Sequence, residues 1–383
     1  MECYLDNSAT TRVLPEVVKL MDEIYLRDYG NPSSLHKKGF EAERYITEAR
    51  DVFTDILKCS RKEIFFTSGG TESNNTAILG TALARGKRGH HMITTAIEHA
   101  AVSSPMNFLE KQGWEIDRLG VDHEGRISLD ELREKLRPDT VLVSIMHVNN
   151  EIGTIQPVEE AGKIIKEIAP DCLFHVDDIQ GFGKLPLIPK KCGIDFLSAS
   201  SHKLHGPKGV GLLYMSEKAH TLPIIYGGGQ QNGMRSGTEN VPGVAGFAMA
   251  AKEMYSNLKE HEAHMKELRE YFINEIEKIS DITINGSAEH AASHIVSLTV
   301  KDVRAEVLLH ALEAKDIYVS AGSACSSNQP HISETLKSIE VPAYALDSTV
   351  RLSFSPYTTK EEIDHTLKEL GEIIPALRRF TRK

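Results

Sequence analysis

Three short segments carry side chains of the kind that bind and activate a small charged molecule. Ser68-Gly69-Gly70-Thr71 follows an apolar run and opens a helical pattern. Free backbone N–H groups at such a turn can cradle a phosphate, with the glycines allowing close approach and the Thr71 hydroxyl adding a donor. An ordinary capped turn has the same residues, and Glu72 would repel a phosphate unless it points away. Asp177 closes the apolar run CLFHVD, at a strand end of the sort that contacts ligands in open parallel sheets. A carboxylate there needs a cation, or else it caps the next helix. Lys203 ends Ser200-Ser201-His202-Lys203, just past the following apolar run. It could form a Schiff base, as could Lys208 on chemistry alone, although a loop lysine is most often solvated. A phosphate cup, a strand-end carboxylate and a loop lysine together match what pyridoxal phosphate needs: an anchor, a partner for its ring nitrogen and an amine for its aldehyde.

A scaffold must hold these positions, and the pattern from Glu63 to Met215 predicts one. EIFFTS (63–68), HMITT (91–95), TVLVSIM (140–146), CLFHVD (172–177) and DFLSAS (195–200) read as strands. Between them, 71–84, 99–111 and 158–169 read as helices, the last with Ala161, Ile164, Ile165 and Ile168 on one stripe before Pro170. The alternation predicts an α/β fold with a mostly parallel sheet covered on both faces. After Gly243 a charged helical stretch from about Val244 to Lys278 leads into mixed strands and helices, which predicts a second domain. Thr359 and Glu362 have capping-box spacing, and Ile363, Leu367, Leu370, Ile374 and Leu377 mark one buried face of a final helix.

The length of 383 residues favours two or three domains at roughly 150 residues each. Apolar residues make up 40% and charged residues 26% of the chain, which excludes disordered and collagen-like classes. Lys and Arg number 44 against 54 Asp and Glu, a net charge of −10; no excess of cations exists to displace phosphate counterions, so direct nucleic-acid binding is not expected. No apolar run approaches the ~18 residues of a membrane helix, and MECYLDNSATT has no leader pattern, so the expected location is cytoplasmic. Nucleotide motifs fail: no strand precedes G-x-G-x-x-G, and Gly80 to Gly86-Lys87-Arg88 has the wrong spacing. His261 and His264 stand three apart on a helix that reads as charged all round, which favours a solvated face over a metal site.

The chain resembles the cysteine desulfurases of the NifS/IscS-like group within the class V aminotransferases. The carriers span nearly the whole sequence: YLDNSATT (4–11), YGNPSSLH (29–36), TSGGTESNN (67–75), IEHAAV (97–102), HVNNEIG (147–153), HVDDIQGFGKLP (175–186), SSHKLHGPKGVG (200–211), MRSGTEN (234–240) and SAGSACSS (320–327). The resemblance implies a PLP-dependent transferase of fold type I. Its large domain (14–255) would hold a mostly parallel seven-stranded sheet, and a smaller α+β domain (1–13 with 256–383) would carry a mobile cysteine loop at about 320–332. It further implies that Lys203 bears pyridoxal phosphate, Asp177 bonds the ring nitrogen, Gln180 donates to the ring's phenolic oxygen and His99 stacks on the ring. Gly70, Thr71, Ser200 and His202 would hold the phosphate, with Thr238 reaching it from the second subunit of a homodimer. Asn150, beside the cofactor, and Arg351 would bind the substrate carboxylate, for which a planar guanidinium is suited.

The five cysteines, Cys3, Cys59, Cys172, Cys192 and Cys325, are scattered and lack C-x-x-C spacing, so neither disulfides nor a zinc site is expected. A nucleophilic thiol needs a positive neighbour, and on charge alone Cys192, after Lys190 and Lys191, is favoured. The small residues of SAGSACSSN read instead as a loop able to swing a thiol between a buried site and an acceptor. The resemblance also selects Cys325.

The resulting expectation is an enzyme that converts L-cysteine to L-alanine, holds the sulfur as a persulfide on Cys325 and passes it to a protein acceptor. Lys203 would move the α proton and His99 would handle protons near the ring. The rivals are a selenocysteine lyase or other class V lyase, and a catalytically silent sulfur-relay protein. Two residues depart from the family pattern: Asp178, where a small residue is expected, and Gly70, where alanine is common. Strand alternation would turn Asp178 away from Asp177, with little catalytic effect. The chain ends soon after its last helix, which leaves the acceptor open between an iron–sulfur scaffold, a tRNA-thiolation enzyme and another carrier.

Overall fold

The structure is a computed structural model that describes residues 1–321 and 333–381. Its larger sheet has seven strands in the spatial order Ile64–Thr67, Gly211–Met215, Phe196–Ser200, Leu173–Asp177, Thr140–Met146, His91–Thr95 and Glu115–Leu119. Only Gly211–Met215 runs against the rest. The central strands are buried along their whole length, as a sheet covered on both faces demands, which is why they read as continuous apolar runs. Helices Gly70–Arg85 and Ala100–Lys111 cover one face, where Ile78, Val102 and Met106 meet Leu142 and Phe196. On the other, Lys37–Leu57, Val158–Ile168 and Val241–Ser256 enclose Phe53, Phe174, Phe182 and Phe247.

A second apolar core lies in an α+β unit built mainly from the C-terminal part of the chain. Its four-stranded antiparallel sheet runs Ser320–Ala321, Thr349–Ser353, Ile295–Val300, Ile282–Asn285. Helices Leu258–Ile276 and Lys360–Thr381 pack on it through Phe272, Ile363, Leu370 and Ile374. The N-terminus joins this unit, since Cys3–Tyr4 pairs in parallel with Ile317–Tyr318. The expected capping box is formed: Thr359 N–H donates to Glu362 (2.7 Å) and Glu362 N–H to Thr359 Oγ1 (3.2 Å).

Two expectations need correction, and one strand is added. The stretch 244–278 is two helices, because Asn257 leaves helical geometry (φ −122°, ψ 26°) between Val241–Ser256 and Leu258–Ile276. The second of these is not charged all round: Met265, Leu268, Phe272 and Ile276 are buried, and His264 Nε2 bonds the Thr358 carbonyl at 2.8 Å. Strand Glu115–Leu119 escaped the sequence reading because it is a partly exposed sheet edge with Glu, Asp and Arg among its five residues. Among the described residues, no helix is long and apolar enough to cross a membrane.

Candidate active site

A cavity of about 270 Å³ opens at the C-terminal ends of the parallel strands. Gly70, Thr71, His99, Asn150, Asp177, Gln180, Ser200, His202 and Lys203 all line it. Local geometry explains several placements. Gly69, at φ +154°, allows the turn after Ile64–Thr67 to start the helix Gly70–Arg85 with its N-terminus at the cavity. Glu72 is turned aside: one oxygen accepts from Ser68 N–H (2.7 Å) and the other from Arg235 Nε (3.0 Å). His99 caps the helix Ala100–Lys111, its Nδ1 accepting from Ala101 N–H at 3.1 Å.

Asp177 is buried, and its oxygens accept from Asn74 Nδ2 (2.7 Å) and Ile179 N–H (3.0 Å). Loss of solvent raises its proton affinity above the usual carboxylate range, although these bonds and the charges of His99 and Lys203 oppose the rise. Its neighbour Glu98 is held by Thr95 Oγ1 and Met146 N–H, both at 2.8 Å, and burial plus the Asp177 charge push its carboxyl up to about 8. The Lys203 amine donates to the carbonyls of Ser8 (2.5 Å) and Ala9 (2.9 Å). His202 is pushed down to about 4 by burial and by Lys203, Lys208 and Lys184, so its imidazole is neutral near pH 7.

The lysine alternative is decided by position: Lys208 donates to the Thr11 carbonyl (2.8 Å) and does not line this cavity. Charge alone misled about Cys192, which is buried, its thiol pushed up chiefly by loss of solvent and then by Glu159. Cys59 and Cys172 are each pushed up to about 12 and Cys3 is also raised, in every case mainly by burial. None of these four lines the cavity; Cys325 lies outside the described residues. Arg351 is not among the lining residues, but its Nη1 donates at 2.7 Å to the carbonyl of Asn150, which is. Thr238 is exposed and does not line the cavity of its own chain.

Sequence reasoning passed over Asn74, Ile179, Ser8 and Ala9. Helical spacing could have found Asn74, four residues after Gly70 and so on the same face. Ile179 fills the place that explains Gly70: a Cβ at position 70 would come within 2.1 Å of Ile179 Cδ1. Asp178 is buried and held at 2.6 Å by His147 Nδ1, away from the cavity lining.

The residues present suit pyridoxal phosphate. A helix N-terminus from which Glu72 is turned away suits a phosphate, an amine stands at the wall, and the buried Asp177 would gain from a cationic ring nitrogen. The amide nitrogen of Gln180 donates to the Ser8 carbonyl at 3.0 Å, which fixes the orientation of the amide and leaves its buried oxygen without a partner among the described residues; the nitrogen's second hydrogen is the donor it has left.

This combination of sheet, lysine and carboxylate is that of the class V aminotransferases: the chain matches the Aminotransferase class-V family over residues 3–366 and belongs to it. It is 44% identical over 378 residues to the cysteine desulfurase IscS of Dictyoglomus turgidum, covering 98% of this chain and 95% of that protein. Among solved structures, a NifS-like protein superposes with a TM-score of 0.93 at 38% identity, covering 98% of this chain and 100% of that one. SspA in complex with cysteine superposes with a TM-score of 0.81 at 34% identity, covering 94% and 100%. Within its family the chain is a member of the NifS/IscS-like cysteine desulfurase group.

Proposed function

We propose that the protein is a cysteine desulfurase that converts L-cysteine to L-alanine and keeps the sulfur on Cys325. The observation that carries this reading is the convergence of Lys203, Asp177, His99, Asn150 and the Gly70 helix start on one cavity. Lys203 Nζ, Asp177, Gln180, the Gly70–Thr71 turn, Ser200 and His202 would hold pyridoxal phosphate, on which this family depends. When bound, that group supplies the electron sink for the carbanion left by removal of the substrate's α proton.

Lys203 would be the base for that proton, a role supported by its position in the cavity wall, where its amine donates to the Ser8 and Ala9 carbonyls. His99 would transfer protons through Nε2, since Nδ1 already accepts from Ala101. Asn150 and Arg351 take the substrate's carboxylate. The Cys325 thiolate forms a bond to the substrate sulfur as the carbon–sulfur bond breaks, and the electron pair stays with the carbon. That carbon takes up the proton Cys325 gave up and becomes the methyl group of alanine, leaving a persulfide for a protein acceptor such as an iron–sulfur scaffold or thiolation enzyme. A nucleophilic thiol is best kept in a reducing compartment, which supports a cytoplasmic location.

Thr238 would complete the phosphate site of a partner subunit in a homodimer. Its exposure supports this, as does that of Leu26, Leu35 and Phe40, which are 82%, 106% and 72% exposed. The domain division at 14–255 against 1–13 with 256–383 belongs to the same reading and is supported by the two separate apolar cores.

The test is to supply L-cysteine to protein saturated with pyridoxal phosphate and to measure alanine and protein-bound persulfide. Lys203→Ala should form almost no alanine, and Cys325→Ala no persulfide. Undiminished persulfide in Cys325→Ala would refute the assignment of the nucleophile.

A further inference from the structure

The segment Leu5–Thr11 enters the proposed function only through the carbonyls of Ser8 and Ala9, yet it touches both ends of the site. Its first half is laced to the end of the strand Thr349–Ser353. Ser353 N–H donates to the Leu5 carbonyl (2.7 Å) and Ser8 N–H to Ser353 Oγ (2.8 Å). Its second half lies against the lysine loop: Ser8 and Ala9 carbonyls accept from Lys203 Nζ, and Thr11 N–H donates to the His202 carbonyl (2.9 Å). Between these contacts, Asp6 Oδ1 accepts from Arg351 Nη2 at 2.8 Å.

Arg351 is only 3% exposed, and a guanidinium so placed needs a counter-ion. Asp6 supplies it. With Nη2 on Asp6 and Nη1 on the Asn150 carbonyl, the planar fork is fixed at both terminal nitrogens. Nε is left over, buried and without an acceptor among the described residues. A buried donor on a charged group is costly to leave unpaired, so Nε stands open to an acceptor from outside the described residues, and the positive charge suits an anionic one. Glu151 and His294 also lie near the guanidinium, the latter with its proton affinity lowered well below the ordinary imidazole range chiefly by burial. The hydrogen bonds and ion pairs of Arg351 go to Asn150 and Asp6 instead.

We infer that Asp6 is a positioning residue for the substrate's carboxylate: it pins the Arg351 guanidinium with Nε reserved for that group. The segment that follows Asp6 ties this anchor to the Lys203 amine. The inference rests on the roles proposed above for Arg351 and Lys203.

The experiment uses full-length protein loaded with pyridoxal phosphate, titrated with L-alanine and with ethylamine, which is alanine without its carboxylate, and followed by cofactor absorbance. Asp6→Ala should weaken L-alanine binding about tenfold, the scale of one charge-assisted hydrogen bond, and leave ethylamine binding within about twofold. Asp6→Asn, which keeps an acceptor oxygen, should fall between wild type and Asp6→Ala, and it decides the matter should the alanine variant not fold. Equal weakening of both ligands, or alanine binding that is unchanged or tighter, overturns the inference. Arg351→Lys separates the two levels: unimpaired alanine binding there would refute the role of Arg351 itself, whatever the Asp6 variants do.

Discussion

Replacing Gly70 with alanine inserts one methyl group at the wall of the cavity. Its Cβ would lie 2.1 Å from Ile179 Cδ1 and 2.8 Å from Cγ1, while Ser200 Cβ is at a comfortable 3.6 Å. The clash is therefore with one side chain, and Ile179 itself lines the cavity. The isoleucine can relieve it by swinging its ethyl group inward, so the cofactor-free protein should lose little stability, about 1 kcal/mol, the low end for overpacking. The cost appears on binding, when cofactor and displaced ethyl group compete for the same part of a 270 Å³ space. An overpacking penalty of about 1.5 kcal/mol corresponds to roughly tenfold weaker binding of pyridoxal phosphate. Absorbance titration of the apoprotein measures this directly. Ile179→Ala in the Gly70→Ala background removes both clashing carbons and should restore binding to within about threefold of the Ile179→Ala single variant. Wild-type affinity in Gly70→Ala, or purely additive effects of the two changes, would refute the claim that the glycine exists to accommodate the isoleucine.

Glu98 gives a pH prediction. Its carboxyl is pushed up to about 8 against about 4.3 in an unfolded chain. The stabilising contribution of its bound proton is complete below the unfolded value and is lost as pH rises through the folded one. Glu98→Gln cannot ionise, so relative to wild type it should gain about 2 kcal/mol between pH 6 and 9 in denaturant unfolding of cofactor-free protein; a difference that stays flat across that range counts against the buried carboxyl. The His147–Asp178 pair is sealed, with both residues buried and 2.6 Å between them. Asp178→Ala strands an imidazole and should cost about 3 kcal/mol in urea unfolding, whereas combining Asp178→Ala with His147→Leu should recover part of that loss. A cost below about 0.5 kcal/mol for the single variant would show that the pair contributes nothing.

Much of the fold was readable because burial leaves a direct mark on the chain. A strand enclosed on both faces must be apolar throughout, and Thr140–Met146, Leu173–Asp177 and Phe196–Ser200 appear within a residue of their expected limits. Glu115–Leu119 carries no such mark, since an edge strand open to water tolerates charge. The break at Asn257 was hidden for a related reason: the charged residues on either side suit one long helix or two, and only packing of the second helix against the smaller sheet separates them.

The amino-acid sequence alone determined which chemical groups are available and their order: a glycine turn before a helix, an acid closing one strand, a lysine just after the next. Those are local properties, set by backbone sterics and by the period of the apolar pattern. Choosing among equivalent groups was left to the tertiary structure. Lys203 and Lys208 are five residues apart, yet one amine reaches the cavity and the other the Thr11 carbonyl. Cys192 has two lysines before it, yet burial raises its thiol. Arg351 meets Asp6 across 345 positions of chain. Solvent exclusion and the convergence of distant segments depend on the whole packed molecule, and no stretch of the chain records them.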